Sequence, residues 1–333
     1  MGYPLGCEEM ILRRLRERRE FIDKAIEELS LQVEAVLEAP IRHMLGTGGK
    51  RLRPLICILS CELLGGDYRN TRDAFLALEL IHNGTLIHDD ILDEDKIRRE
   101  ALTIHSAFGV NTAILAGDLL LSLGLRYAAE TGRLEVIRRL SEATSKMIQG
   151  VALQTHYRRR KATAEDYLKV AYLKSGSLFE ASASLGGVMA GGETEIPLLE
   201  QFGGNFGIAY QIRDDILEVI SEKETGLRDL INGDMNLPYI YAQESTFISE
   251  RERTLLSEIF MGKRELSDPE EVKDIFLRSK ALERCVESMR EYGERGGEIL
   301  NSFEQSEAQK CLRYLLDSYC RSFNLEEARD PEF

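Results

Sequence analysis

Carboxylates crowd the segment His88-Asp89-Asp90-Ile91-Leu92-Asp93-Glu94-Asp95, directly after an apolar, helix-like run. On an α-helix residues four apart share a face, so Asp89 and Asp93 project together while Asp90 lies about 100° round the axis. Oxygen-only ligands suit magnesium, which is commonly held by one or two carboxylates plus substrate phosphates rather than by an all-protein cage. Taken alone, the stretch reads equally well as a magnesium–diphosphate site or as a solvated acidic helix end.

A second acidic set favours the first reading. Asp214-Asp215-Ile216-Leu217-Glu218 ends another apolar helical pattern, and Asp214 and Glu218 share a face as Asp89 and Asp93 do. Two core helices ending alike point to a shared metal site. Cationic segments accompany them. Gly46-Thr47-Gly48-Gly49 precedes Lys50-Arg51-Leu52-Arg53-Pro54; glycines let backbone N–H groups approach an anion, and Lys50 and Arg53 add full charges. Without the aspartates this would be an ordinary basic turn. Arg98-Arg99 follow the first acids closely, as charge balance or as part of the site. Lys174-Ser175 place a lysine and a hydroxyl inside an apolar helical face, where buried polar groups need partners. Arg158-Arg159-Arg160-Lys161 reads as a solvated loop before the helix-capping pair Thr163 and Asp166.

The elements that must position these groups are helices. Apolar spacing predicts one from Glu8 to about Ala39, ended or reset by Pro40, and a buried one from about Pro54 to Leu64. A third begins after Asn70-Thr71 and runs into the aspartates. Others are expected from Asn111 to Arg139, from Ser141 to Tyr157 with an interruption at Gly150, from Ala164 through Lys174, and from Ile196 to Glu218. Glu222 to Asn236 reads as a polar loop, and Leu237 to Asn324 as further helices, one opened by Asp268-Pro269-Glu270. With no strand-period segment, repeat or low-complexity linker, residues 1–333 are expected to form a single all-α domain, 1–7 and 325–333 being flexible termini.

Composition narrows the partners. The 333 residues are 43% hydrophobic and 30% charged, with no Trp and seven well-separated Pro, which suits a helical globule. A net charge of −14 argues against nucleic acid, whose binding depends on Lys and Arg neutralising phosphates. Six cysteines without CxxC spacing read as reduced core thiols rather than zinc ligands. An uninterrupted apolar span of membrane length and a signal-peptide core are both lacking, so a cytoplasmic chain without a transmembrane segment is expected.

Gly48-Gly49-Lys50-Arg51-Leu52-Arg53-Pro54, the DDxxD of Asp89, Asp90 and Asp93 followed by Arg98-Arg99, Gly117-Asp118, Lys174-Ser175, and Gln211 before Asp214-Asp215 occur in one order. Over about residues 40 to 240 the chain resembles the trans-isoprenyl diphosphate synthases. The resemblance implies an orthogonal helical bundle of the isoprenoid synthase fold around a deep apolar cavity, usually in a homodimer. It implies Mg²⁺, three ions per site, between Asp89, Asp90 and Asp93 on one side and Asp214, Asp215 and Glu218 on the other. Lys50, Arg53, His82 and Arg99 would hold isopentenyl diphosphate; Arg98, Lys174, Ser175, Gln211 and Lys223 would assist the allylic diphosphate or the cation it leaves. For His82 a satisfied core histidine is the competing reading.

Several residues depart from the family pattern. Glu218 stands where aspartate is usual, Glu100 where glycine often follows the arginines, and Leu102 where proline is common. Asp234 replaces the lysine of a Gly-Lys-x-Thr-Leu-Pro segment, which raises a poorly active or partner-dependent regulatory subunit as an alternative; a terpene cyclase is a third. Small residues at Gly84 and Thr85, ahead of the first acids, leave the growing chain room, with any floor deeper near Ile81, Leu78 or a neighbouring helix. Products longer than C15, about C20 to C35, are expected at about one isoprene unit per helical turn of depth, and Gly84→Phe is expected to shorten them.

Overall fold

The computed structural model describes residues 5–221, 226–321, 323 and 325. Helix α1 (Leu5–Glu27) buries Ile11, Leu15 and Ile22. The chain breaks over 28–34, earlier than Pro40, which falls inside α2 (Ala35–Gly46) with its ring buried. A proline inside a helix removes one N–H bond, and here the buried ring packs into the core. Arg51, at φ 52°, opens α3 (Leu52–Leu63). Its guanidinium reaches Asp23 at 3.0 Å, Glu79, and the Leu45 carbonyl at 3.4 Å, fastening α1, α2 and α4 (Arg72–Leu92) to the start of α3.

After α4 the all-helical expectation fails locally. Strands β1 (Ile97–Arg98) and β2 (Ala101–Leu102) pair antiparallel, and two residues each are too few to show a period of two. The turn residues Arg99 and Glu100 have φ of 50° and 66°, as a type I′ hairpin turn requires. Glycine takes that conformation without a Cβ penalty. Glu100→Gly is therefore expected to stabilise the fold by up to about 1 kcal/mol, read as a raised urea midpoint; a lowered midpoint would contradict it.

Helix α5 (Ile104–Phe108) leads into α6 (Val110–Glu130) and α7 (Leu134–Tyr157). The stretch expected as one helix to Arg139 is thus two, divided beside Gly132 at φ 66°. Among the described helices α6 alone is long and apolar enough to cross a membrane, and in this fold it packs along α4. Helix α7 continues through Gly150 without interruption. A side chain there would lie 2.6 Å from the Lys174 backbone nitrogen, so glycine permits the close approach of α7 to that segment.

The Thr163–Asp166 capping box starts α8 (Ala164–Ala171), which passes through a π-helical turn (Tyr172–Gly176) into α9 (Ser177–Ala190). Helix α10 (Ile196–Ile220) follows, then α11 (Arg228–Asn232) and α12 (Leu237–Glu244). Part of the segment expected as a loop is thus helical. The C-terminal helices are α13 (Glu250–Phe260), α14 (Pro269–Arg278, capped by Asp268), α15 (Ala281–Asn301) and α16 (Glu307–Leu316). The five described cysteines are buried and free.

Two apolar cores meet at α3 and α9. Ile56, Leu59 and Phe179 face one, Ile58, Leu178 and Leu185 the other. The helices cross so closely that a side chain at Gly186 would overlap the Cys57 carbonyl. Gly186→Val is expected to cost about 3 kcal/mol or more, measured as a lowered urea midpoint; unchanged stability would contradict this packing.

Candidate active site

Helix α4 delivers the first acids on different faces. Asp89 stays partly exposed, and Asp93 sits just past the helix end. Asp90 is buried, accepts from Arg98 Nε at 2.5 Å, and its carbonyl accepts the Asp95 N–H at 2.9 Å. Its carboxylate therefore ties the helix end to the β-hairpin. Burial raises the Asp89 carboxyl above its ordinary range, opposed by nearby Lys174 and reinforced by Asp93.

Helix α10 repeats the division. Asp215 is buried and accepts the Gln211 side-chain amide at 3.0 Å and the Leu237 N–H at 3.3 Å. Burial first, then the charge of Asp229, pushes it up to about 7 against those hydrogen bonds. Asp214 and Glu218 lie on the less buried side. Glu218 accepts the Asp229 N–H at 2.8 Å, and burial followed by Asp229 pushes its carboxyl up to about 11. Asp229, on α11, is itself raised, chiefly by burial. Burial, more than their mutual repulsion, holds these three acids above their ordinary range.

Arginines tie the end of α4 to α11 and the corner after it. Arg158 Nη2 lies 2.7 Å from Asp93, while Nε and Nη2 hold buried Asp234 at 2.7 and 3.0 Å. Arg228, beside Asp229, pairs with Asp95. Arg158 therefore departs from the solvated-loop expectation: the turn after α7 folds its first arginine between two carboxylates. Lys223 lies outside the described residues.

The π-helical turn presents Lys174 and Ser175 beside these acids. Such turns insert an extra residue into a helix and often mark functional sites. Lys174 Nζ donates to Gln154 at 2.8 Å, and Ser175 Oγ donates to Gln211 at 2.6 Å. Gln211 thereby links the turn to Asp215.

A separate cationic corner lies where α3 starts. Arg53 Nη1 is 3.1 Å from His82 Nε2, its guanidinium carbon is 4.4 Å from the Phe179 ring centre, and its buried Nε has no hydrogen-bond partner among the described residues. Burial, then Arg53 and Arg99, holds His82 well below 6.5, so it is a neutral partner for Arg53. Arg99 donates to the Gly48 carbonyl, and Gly49 leaves space for its guanidinium. Lys50 Nζ donates to Tyr210 Oη at 3.2 Å. Lys50, Arg53 and Arg99 thus flank the glycine-rich turn.

Of the proposed length residues, Ile81 lines an open groove of about 330 Å³ between α6 and α7 with Leu121, Thr144 and the exposed Leu125 and Ile148. Leu78 is buried in the core, and the Thr85 hydroxyl donates to the His82 carbonyl at 2.8 Å. Gly84 faces α6: a Cβ there would be 3.0 Å from the Gly117 carbonyl and 3.2 Å from Leu120. Gly84→Phe would consequently displace α6, so it is not a clean probe of the groove.

Residues 34–278 match the polyprenyl synthetase family. The chain belongs to that family. It is 34% identical over 315 residues to a short chain isoprenyl diphosphate synthase of Methanothermobacter thermautotrophicus, covering 91% of this chain and 96% of that one. It is 36% identical over 293 residues to a geranylfarnesyl diphosphate synthase of Aeropyrum pernix, covering 83% and 91%. The crystal structure of the geranylgeranyl pyrophosphate synthetase from Pyrococcus horikoshii superposes with a TM-score of 0.83 at 31% identity, covering 94% and 98%. In this polyprenyl synthetase the fold is therefore the all-α isoprenoid synthase architecture. Its sequence left Arg158, Gln154 and Asp229 without a role; only the excess of charge around them was legible.

Proposed function

We propose that the chain is a Mg²⁺-dependent prenyltransferase that joins isopentenyl diphosphate head-to-tail to an allylic diphosphate, giving all-trans products of C20 to C25. The observation that carries this reading is the corner formed by Arg53, His82 and Arg99, an anion position separate from the paired acids. A terpene cyclase has no use for a second diphosphate. The names of the similar geranylgeranyl and geranylfarnesyl synthases support the short end of the C20 to C35 expectation.

The donor set fits magnesium: Asp89, Asp93, Asp214 and Glu218, none of them buried, offer only oxygens. Asp89, Asp93, Asp214 and Glu218 would make the contacts; Asp90 and Asp215 would hold their neighbours in place. Bound Mg²⁺ would stabilise negative charge on the departing diphosphate. Lys174, oriented by Gln154, faces Asp89 and the same anion. Lys50, Arg53 and Arg99 hold isopentenyl diphosphate so that its double bond meets the allylic carbon as the C–O bond opens; the released diphosphate then accepts the proton whose loss restores the alkene.

The regulatory-subunit alternative drew on the reversed charge at Asp234. That charge is neutralised by Arg158, which favours an active chain. Exposed Val110, Ile114, Leu115 and Leu125 on α6 support a homodimer, in the cytoplasm. With purified chain alone, labelled isopentenyl diphosphate should be consumed only when an allylic primer and Mg²⁺ are both present. Turnover only after mixing with a second protein would support the subunit reading, and cyclised hydrocarbon from the allylic substrate alone would overturn transfer.

A further inference from the structure

Arg158 is held by more than one attachment. Its fork grips Asp234, whose side chain is 3% exposed, while the side chains of Arg158 and Asp93 are 29% and 22% exposed. The neighbouring residue fixes the backbone: the Arg159 N–H donates to the Gly233 carbonyl at 2.7 Å, and the Arg159 side chain occupies the space that a side chain at Gly233 or Gly262 would need. Asp234 N–H in turn donates to the Asp229 carbonyl at 2.7 Å. The turn after α7 and the corner after α11 are thus pinned together with one guanidinium facing Asp93.

Asp93 cannot keep Arg158 and also accept a divalent cation at the same carboxylate without strong repulsion. The fork on Asp234 keeps the guanidinium beside Asp93, because departure would strand a buried charge. We propose that Arg158 is a substrate-binding clasp: it covers Asp93 before loading, releases it when Mg²⁺ and diphosphate arrive, and then turns the freed N–H onto diphosphate oxygen while remaining on Asp234. A planar guanidinium suits this double duty, since it can serve a carboxylate and a phosphate from different edges. The clasp rests on the proposed diphosphate site. It also assigns a use to Asp234 as the anchor of a cation supplied from another segment.

The test uses inorganic diphosphate with Mg²⁺ as probe, with affinity measured calorimetrically on the purified full chain. Arg158→Met is expected to weaken binding by about tenfold or more and to raise KM for the allylic substrate in proportion, leaving KM for isopentenyl diphosphate unchanged. Arg158→Lys should recover part of the loss. Because Arg158→Met strands Asp234, the double variant Arg158→Met/Asp234→Met removes the pair without an orphan charge, and the same weakening is expected. Wild-type affinity in whichever of these two variants folds would overturn the clasp alone. Failure of the unmodified chain to bind the probe would overturn the diphosphate site and the clasp together.

Discussion

Asp89→Ala is expected to lower kcat by about 10³-fold or more with little change in stability, whereas Asp90→Ala is expected to lose about 2 kcal/mol of stability and only about tenfold in activity. The contrast follows from where α4 points each carboxylate. Asp89 is partly exposed, lies near Lys174 and Asp93, and is held above its ordinary range chiefly by burial. Removing it takes away a carboxylate that would hold Mg²⁺ against the departing diphosphate and leaves the helix packing intact. Asp90 is spent on Arg98 at 2.5 Å and anchors the hairpin. Without it Arg98, itself only 26% exposed, loses its main partner, and Asp89 is held less firmly at the helix end. The measurement is kcat at saturating Mg²⁺ beside a urea midpoint for each variant. If Asp90→Ala were as inactive as Asp89→Ala and equally stable, Asp90 would belong among the direct contacts.

The second large effect is on product length. Ile81 lies eight residues before Asp89, about 12 Å along the helix at 1.5 Å per residue, and it lines the groove between α6 and α7. At about one isoprene unit per helical turn, a tail reaching Ile81 has used a little over two units, and the open groove between α6 and α7 lies just past that point. Thr144, whose hydroxyl is satisfied by the Leu140 carbonyl at 2.7 Å, contributes a small side chain to the groove wall. Thr144→Phe is expected to shorten the main product by about one or two C5 units, and Ile81→Ala to lengthen it by about one, at a stability cost of about 2 kcal/mol or more for the lost core volume. Sizing products with labelled isopentenyl diphosphate checks both. An unchanged distribution in both variants would place the channel elsewhere.

The acid-bearing helices were legible because their apolar spacing continues into the carboxylates; the motif groups Asp90 with Asp89 and Asp93 as a metal ligand, and its tie to Arg98, eight residues on, is not visible in that pattern. The breaks at 28–34 and beside Gly132 were not, since both adjoining patterns keep a helical period and only one glycine marks the second. Asp229 and Arg158 were hidden for another reason. The function of Arg158 depends on Asp234, 76 residues away, and a run of four basic residues carries no sign that its first member folds inward. Gly84 was read correctly as small, but periodicity alone could not show that it faces the backbone of α6.

The most direct measurement is to give the purified chain labelled isopentenyl diphosphate, Mg²⁺ and C5, C10, C15 or C20 allylic primers, then size and assign the products. All-trans C20 to C25 diphosphates are expected, vanishing when either Mg²⁺ or the primer is withheld. No incorporation by the chain alone with any primer, or products ending at C15, would contradict the proposed function.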